Sequence, residues 1–171
     1  MSLKMPHNFN CFIAGTDTGV GKTVVTGEIG AYLQQLGRQV ITQKWIQTGC
    51  TDMSEDIESH LKAMSLSQSD IRPYLDDMNP YCFTLPASPH LAAQQDSVLI
   101  DPDRIKSAFD RLSSSFDSVI VEGAGGLLVP YSNSHTVLDI VSDLSLPVIL
   151  VAANKLGCIN HTLLSLSELK Q

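Results

Sequence analysis

The chain has 171 residues, a length that predicts one domain spanning 1–171, able to bury a core without disulfides or a structural metal. Hydrophobic residues make up 43% and charged residues 17%, which excludes a disordered or fibrous chain. Lys+Arg number 11 against 18 Asp+Glu, a net charge of −7 with no basic run; this disfavours a generic nucleic-acid binder and still allows a small anionic ligand held by local cations.

The first five residues read as a tag or a disordered lead-in, with no apolar core of a signal peptide. Cys11-Phe12-Ile13-Ala14 is a short apolar run ending at Gly15, expected as a strand. Thr23 to Leu36 is expected as a helix with Ile29, Leu33 and Leu36 on one face and Gly37 as its stop. Val40 to Lys44 reads as a second strand, and Ser54 to Met64 as a helix through Ile57, Leu61 and Met64. Four prolines between Arg72 and Pro89 predict mostly loop. A helix over Asp103–Leu112, a buried strand over Ser118–Val121, a short helix over Val137–Leu144, a buried strand over Val148–Ala153 and a closing helix over Ile159–Leu169 complete the pattern. Apolar strands between helices predict an α/β fold, a mostly parallel sheet with helices on both faces; the glycine-rich Gly15–Thr23 loop between the first strand and helix makes it P-loop NTPase-like. Ligands of such sheets bind beyond the carboxyl ends of the strands. The longest apolar stretch, Val148 to Ala153, is far short of the roughly 20 residues of a membrane span. Cys11, Cys50, Cys82 and Cys158 form no CxxC pair and are expected as reduced thiols of a cytoplasmic protein.

Gly15-Thr16-Asp17-Thr18-Gly19-Val20-Gly21-Lys22-Thr23 follows a strand and opens a helix, the setting of a phosphate loop. Its glycines let backbone N–H groups turn toward phosphate oxygens at a helix N-terminus. Lys22 can reach the β- and γ-phosphates, and Thr23 can ligate Mg²⁺. The loop departs from the usual pattern: five residues, not four, separate Gly15 from Gly21, and Thr16 stands at the usual first glycine. Lys44, at the end of the second strand, faces the ligand side or is a plain surface lysine. Glu122 ends the strand Val119-Ile120-Val121 ahead of Gly123-Ala124-Gly125-Gly126, as a carboxylate suited to Mg²⁺ or a capped strand end. Asp52, Glu55, Asp56 and Glu58 crowd a helix start, where capping accounts for most of them. Leu156 to His161 opens the last helix, and free N–H groups there could hold a carboxylate or simply begin a helix. The five histidines show no metal-binding spacing, and no GxSxG elbow occurs.

Together GTDTGVGKT (15–23), KWIQTG (44–49), NPYCF with P.SPH (79–90), VEGAGG (121–126) and KLGCINH (155–161) resemble dethiobiotin synthetase, in that family's order along nearly the whole chain. The resemblance implies that 7,8-diaminononanoate and CO₂ are joined with ATP to give dethiobiotin, ADP and phosphate. It implies ATP and Mg²⁺ as cofactors. The nucleotide is expected on Thr16, Asp17, Thr18, Gly19, Val20, Gly21, Lys22 and Thr23 together with Glu122 and Gly125. Thr23, Asp56 and Glu122 match the magnesium set. Lys44 and Thr48 match the pair holding the carbamate, and Lys22, Lys44 and Thr48 are the expected catalytic residues. Gly157, Cys158, Ile159 and Asn160 match the segment that takes the substrate carboxylate, given in the family by the other subunit, which implies a homodimer. No nucleic-acid or membrane partner is expected. Trp45 stands where the family usually has proline, and the family's C-terminal strand-helix portion is expected to be absent after Gln171.

Three rivals remain. Ala153-Asn154-Lys155-Leu156-Gly157 nearly matches the guanine-reading NKxD motif, but Gly157 replaces its aspartate. A nucleotide switch of the ParA/MinD type would carry an early lysine where this chain has Asp17-Thr18-Gly19. A synthetase-like domain without turnover is the third.

Overall fold

The computed structural model describes residues 8–170, so the lead-in expected at 1–5 lies outside the described residues. The chain runs through β1 (Cys11–Gly15), α1 (Lys22–Gln35), β2 (Val40–Lys44), β3 (Ile46–Thr48), α2 (Glu55–Ala63), α3 (Gln68–Ile71), α4 (Leu75–Met78), β4 (Tyr81–Phe83), α5 (Pro89–Gln95), α6 (Pro102–Ser115), β5 (Ser118–Gly126), α7 (Val137–Asp143), β6 (Val148–Val151) and α8 (Cys158–Glu168). Four strands pair in parallel in the order β2-β5-β1-β6, and β3 and β4 form a separate two-stranded parallel sheet.

Alternation along the strands builds two cores. Cys11, Ile13, Val40 and Ile120 pack with Leu33 of α1 and Met64 beyond α2. Phe12, Ile41, Val119 and Val121 point the other way, into a larger cluster with Ile105, Phe109 and Leu112 of α6 and Ile140 of α7. Helices therefore cover both faces, as expected of a parallel sheet.

The face of α1 differs from the one expected. Leu36 is exposed, and the buried residues are Lys22, Thr26, Gly27, Gly30 and Leu33. The small side chains admit α2: a Cβ on Gly27 would lie 2.8 Å from the Ala63 Cβ, and one on Gly30 would lie 2.7 Å from the Met64 Sδ. Of the residues expected on this face, Leu33 is buried and Ile29 packs against the core, while Leu36 does not, because close approach rather than apolar area sets the rest of the face.

The stretch 72–89 is less irregular than its prolines suggest. It holds α4, β4 and the start of α5, with Pro89 in the first turn of α5, where a missing N–H costs nothing. β6 is half-buried rather than buried, because it is the edge strand and α8 buries no residue among those described. Cys50 and Cys82 are joined as a disulfide, against the expectation of four reduced thiols. The register of β3 on β4 and the Cys50 N–H donated to the Phe83 carbonyl bring their Cα atoms to 6.2 Å, within bridging range. Cys11 and Cys158 are free.

Trp45 fills the family's proline position with a core side chain. It lies between β2 and β3, 2% exposed, against the Phe12 ring at 5.0 Å, and its indole N–H donates to Gln43 Oε1 at 2.8 Å. A buried indole needs such a partner.

Candidate active site

The phosphate loop links β1 to α1. Its start admits no side chain: a Cβ on Gly15 would lie 2.8 Å from both the Asp17 carbonyl oxygen and Lys22 Nζ. The Thr16 N–H donates to the Val151 carbonyl at 3.0 Å, so the residue at the usual first-glycine position ties the loop to β6. Gly21 caps α1 without a side-chain hydrogen bond, leaving the first-turn N–H groups to serve an anion. Lys22 Nζ donates to the Asp17 carbonyl at 3.0 Å. Burial, with Lys44 nearby, holds its ammonium below the usual lysine range, which favours neutralisation by an incoming phosphate.

Three other elements close on this loop. The register of β2 on β5 sets Lys44, the last residue of β2, beside Glu122, which lies mid-strand rather than at the expected strand end, since the glycines after it continue β5 to Gly126. Ser54 caps α2 by accepting from the Ile57 N–H, so Asp56 is left to turn inward rather than serve as the cap. Lys44 Nζ contacts Asp56 Oδ2 at 2.7 Å and Glu122 Oε1 at 2.8 Å, and donates to the Gly123 carbonyl at 3.2 Å. The Thr23 hydroxyl reaches Asp56 Oδ1 at 2.9 Å and Glu122 Oε1 at 3.1 Å. Glu122 is buried, and burial pushes its carboxyl up; the His60 hydrogen bond and the Lys44 charge outweigh this and hold it at about 2. It is therefore ionised at neutral pH.

Thr23, Asp56 and Glu122 thus present only oxygen, converging on a point where a cation, the Lys44 ammonium, already sits. That donor chemistry fits Mg²⁺, which takes one or two carboxylates and completes its shell with phosphate oxygens and water. Among the described residues no three His, Cys, Asp or Glu side chains form a self-sufficient cage, and Mg²⁺ held with a nucleotide needs none.

A cavity of about 770 Å³ opens above this cluster. Of the residues expected to bind ligands, Thr18, Gly19, Gly21, Lys22, Thr23, Lys44, Thr48, Asp56, Glu122 and Gly125 line it. Thr16, Asp17 and Val20 belong to the same loop without lining the cavity. Gly157, Cys158, Ile159 and Asn160 do not reach it: they open α8, where Gly157, Ile159 and Asn160 are exposed and Cys158 is half-buried. A Lys155–Asp17 ion pair at 3.1 Å joins their loop to the phosphate loop. Sequence reasoning missed two features. Pro86, Ala87, Ser88 and Pro89 line the cavity. His60 lies beneath it with Nε2 2.7 Å from Glu122 Oε2. The spacing of Asp56 and His60, four apart on one helix face, was the available signal for His60.

A family model described as an AAA domain matches residues 10–171. An ATP-dependent dethiobiotin synthetase of Haemophilus ducreyi is 46% identical over 162 residues, 94% of this chain and 75% of that protein. The chain belongs to the dethiobiotin synthetase family. A second dethiobiotin synthetase, from Pasteurella multocida, is 46% identical over 92% of this chain and 74% of its own length. A third, from Haemophilus influenzae, is 45% identical over 91% and 81%. The fold is shared more widely: a ParA family ATPase from Chlorobium tepidum superposes with a TM-score of 0.53 at 17% identity, covering 97% of this chain and 69% of that one. Unlike that comparison, the match to the dethiobiotin synthetases rests on sequence along nearly the whole chain.

Proposed function

We propose that the chain, acting over 1–171 as one P-loop unit, uses ATP to carboxylate 7,8-diaminononanoate and close the cyclic urea of dethiobiotin, a step of biotin synthesis. The observation that carries this reading is the meeting of Lys44 with Asp56 and Glu122 beside Lys22 and Thr23, at the floor of one cavity.

One substrate amine adds to CO₂ and loses a proton, giving a carbamate. Lys44, a compact ammonium, offsets its negative charge, and the Thr48 hydroxyl donates to it. A carbamate oxygen attacks the γ-phosphorus and ADP leaves, while Lys22 and the first-turn N–H groups of α1 stabilise the charge spreading over the phosphoryl oxygens. The second amine attacks the carbonyl of the mixed carbamic-phosphoric anhydride; the C–O bond breaks, phosphate departs and a proton is lost. Thr23, Asp56 and Glu122 would hold Mg²⁺, which supplies charge neutralisation at the β- and γ-phosphates when bound. Asp56 and Glu122 would share their charge between that metal and Lys44, whose ammonium serves the carbamate. Holding both amines and the phosphoryl group in line supplies much of the acceleration, since no covalent intermediate on the protein is needed.

Gly157, Cys158, Ile159 and Asn160 take the substrate carboxylate for a second copy of the chain, in a homodimer. The exposure of Leu156, Ile159, Leu163 and Leu164 around this segment supports that reading. Among the described residues no helix is long and apolar enough to cross a membrane.

The test combines the 171-residue chain with diaminononanoate, bicarbonate and MgATP and seeks dethiobiotin by mass. Product dependent on all three is expected. MgATP bound without turnover would instead favour a nucleotide-binding domain without synthetase activity.

A further inference from the structure

We propose that His60 is a positioning residue for the metal-binding end of the site, acting through Glu122. The inference rests on the reading of Glu122 as a Mg²⁺ ligand and extends it to a residue that touches neither nucleotide nor substrate.

His60 and Glu122 are both buried, at 0% and 1% exposure. His60 Nε2 lies 2.7 Å from Glu122 Oε2. At that distance the two groups are hydrogen-bonded, and an imidazole N–H can donate to a carboxylate oxygen. The other ring nitrogen, Nδ1, is buried with no hydrogen-bond partner among the described residues, so Glu122 Oε2 is the ring's hydrogen-bond partner. The two oxygens of Glu122 are thereby divided. Oε2 is held by His60, and Oε1 is left to the Thr23 hydroxyl at 3.1 Å and Lys44 Nζ at 2.8 Å, on the side where the oxygen ligands converge.

Without His60, Oε2 would be a buried anionic oxygen with no donor. The carboxylate would then turn to recruit Lys44 or Thr23 with both oxygens, and Oε1 would no longer be fixed. The carrier of this hydrogen bond is α2, which also supplies Asp56 one turn earlier. A single helix therefore delivers one ligand and sets the rotamer of another on β5. Partners of metal-bound carboxylates act in this way, and losing one weakens metal affinity roughly 10- to 100-fold.

The experiment measures Mn²⁺ binding to the full chain by electron paramagnetic resonance in the presence of a non-hydrolysable ATP analogue. Metal-free binding of the analogue is measured beside it, together with the Mg²⁺ dependence of turnover. Three substitutions are compared: His60→Leu, which fills the space without a donor; His60→Asn, whose amide is too short to reach Oε2; and His60→Gln, whose terminal amide reaches about as far as Nε2. Leu and Asn are expected to weaken Mn²⁺ roughly 10- to 100-fold with metal-free nucleotide affinity unchanged, and Gln to recover most of the loss. Where His60→Leu fails to fold, the Asn and Gln pair carries the comparison. Parent-like Mn²⁺ affinity in the Asn variant, or equal losses in Asn and Gln, would overturn the inference. Glu122→Gln is the control. Lost Mn²⁺ binding there with unaffected His60 variants would sink the His60 role alone, whereas unchanged Mn²⁺ binding would overturn the reading of Glu122 and the inference with it.

Discussion

Two regions flagged by sequence motifs end in opposite states. The cleft between the phosphate loop, the end of β2 and the middle of β5 is cross-connected: Lys44, Asp56, Glu122, Thr23 and His60 share a continuous set of contacts. The start of α8 is open, with Leu156, Ile159 and Leu163 exposed and no side-chain cap at Gly157. In the first region four elements of one chain, α1, β2, α2 and β5, supply each other's charged and hydrogen-bonding partners. The second shows exposed apolar side chains at the start of its helix, and none of its side chains lines the cavity. A motif therefore reports the chemistry of a segment, while contacts decide whether one chain can use it.

Substitutions on the two sides should separate accordingly. Lys44→Ala should have the largest effect, lowering dethiobiotin formation by roughly 10²- to 10³-fold with ATP still binding, as for loss of one charge-stabilising donor. Steady-state rates with equilibrium nucleotide binding check this, and retained ring closure would contradict the carbamate role. Asn160→Ala should act only through the substrate, raising the diaminononanoate requirement by about 10- to 100-fold, the cost of one hydrogen bond to a charged group, with the ATP dependence unaltered. A shift in both would place α8 inside the nucleotide site and erase the contrast. Low pH should dissolve the first region before the second. The Glu122 carboxyl is held at about 2, below its ordinary 4.5, so its stabilising contribution is complete above about pH 4.5 and lost as pH falls toward 2. Acid unfolding of Glu122→Gln should lack this component. The smallest effect should come from Lys155→Ala, which removes the exposed ion pair to Asp17, and thermal unfolding should barely move.

Much of this fold was legible from the sequence because it is local. β1, α1, β2, β5 and α8 follow from apolar runs and stops within a few residues, and the phosphate loop from its strand-loop-helix setting. What stayed hidden was set by distant partners. β3 and β4 have three residues each and exist through their pairing with one another. The Cys50–Cys82 disulfide follows from that same pairing. Lys44 and Glu122 were each visible as candidates, but their contact across 78 residues comes only from the β2–β5 register. His60 looked like an unremarkable helix residue, and only the packing of α2 on α1 and β2, beside the neighbouring β5, gives it a carboxylate to hold.

The most direct measurement follows oxygen. Bicarbonate carrying isotopically labelled oxygen is supplied with diaminononanoate and MgATP, and the released phosphate is weighed. Attack by the carbamate on the γ-phosphorus, followed by C–O cleavage on ring closure, predicts one labelled oxygen in each phosphate formed with dethiobiotin. Unlabelled phosphate, the mark of attack by water, would contradict the account.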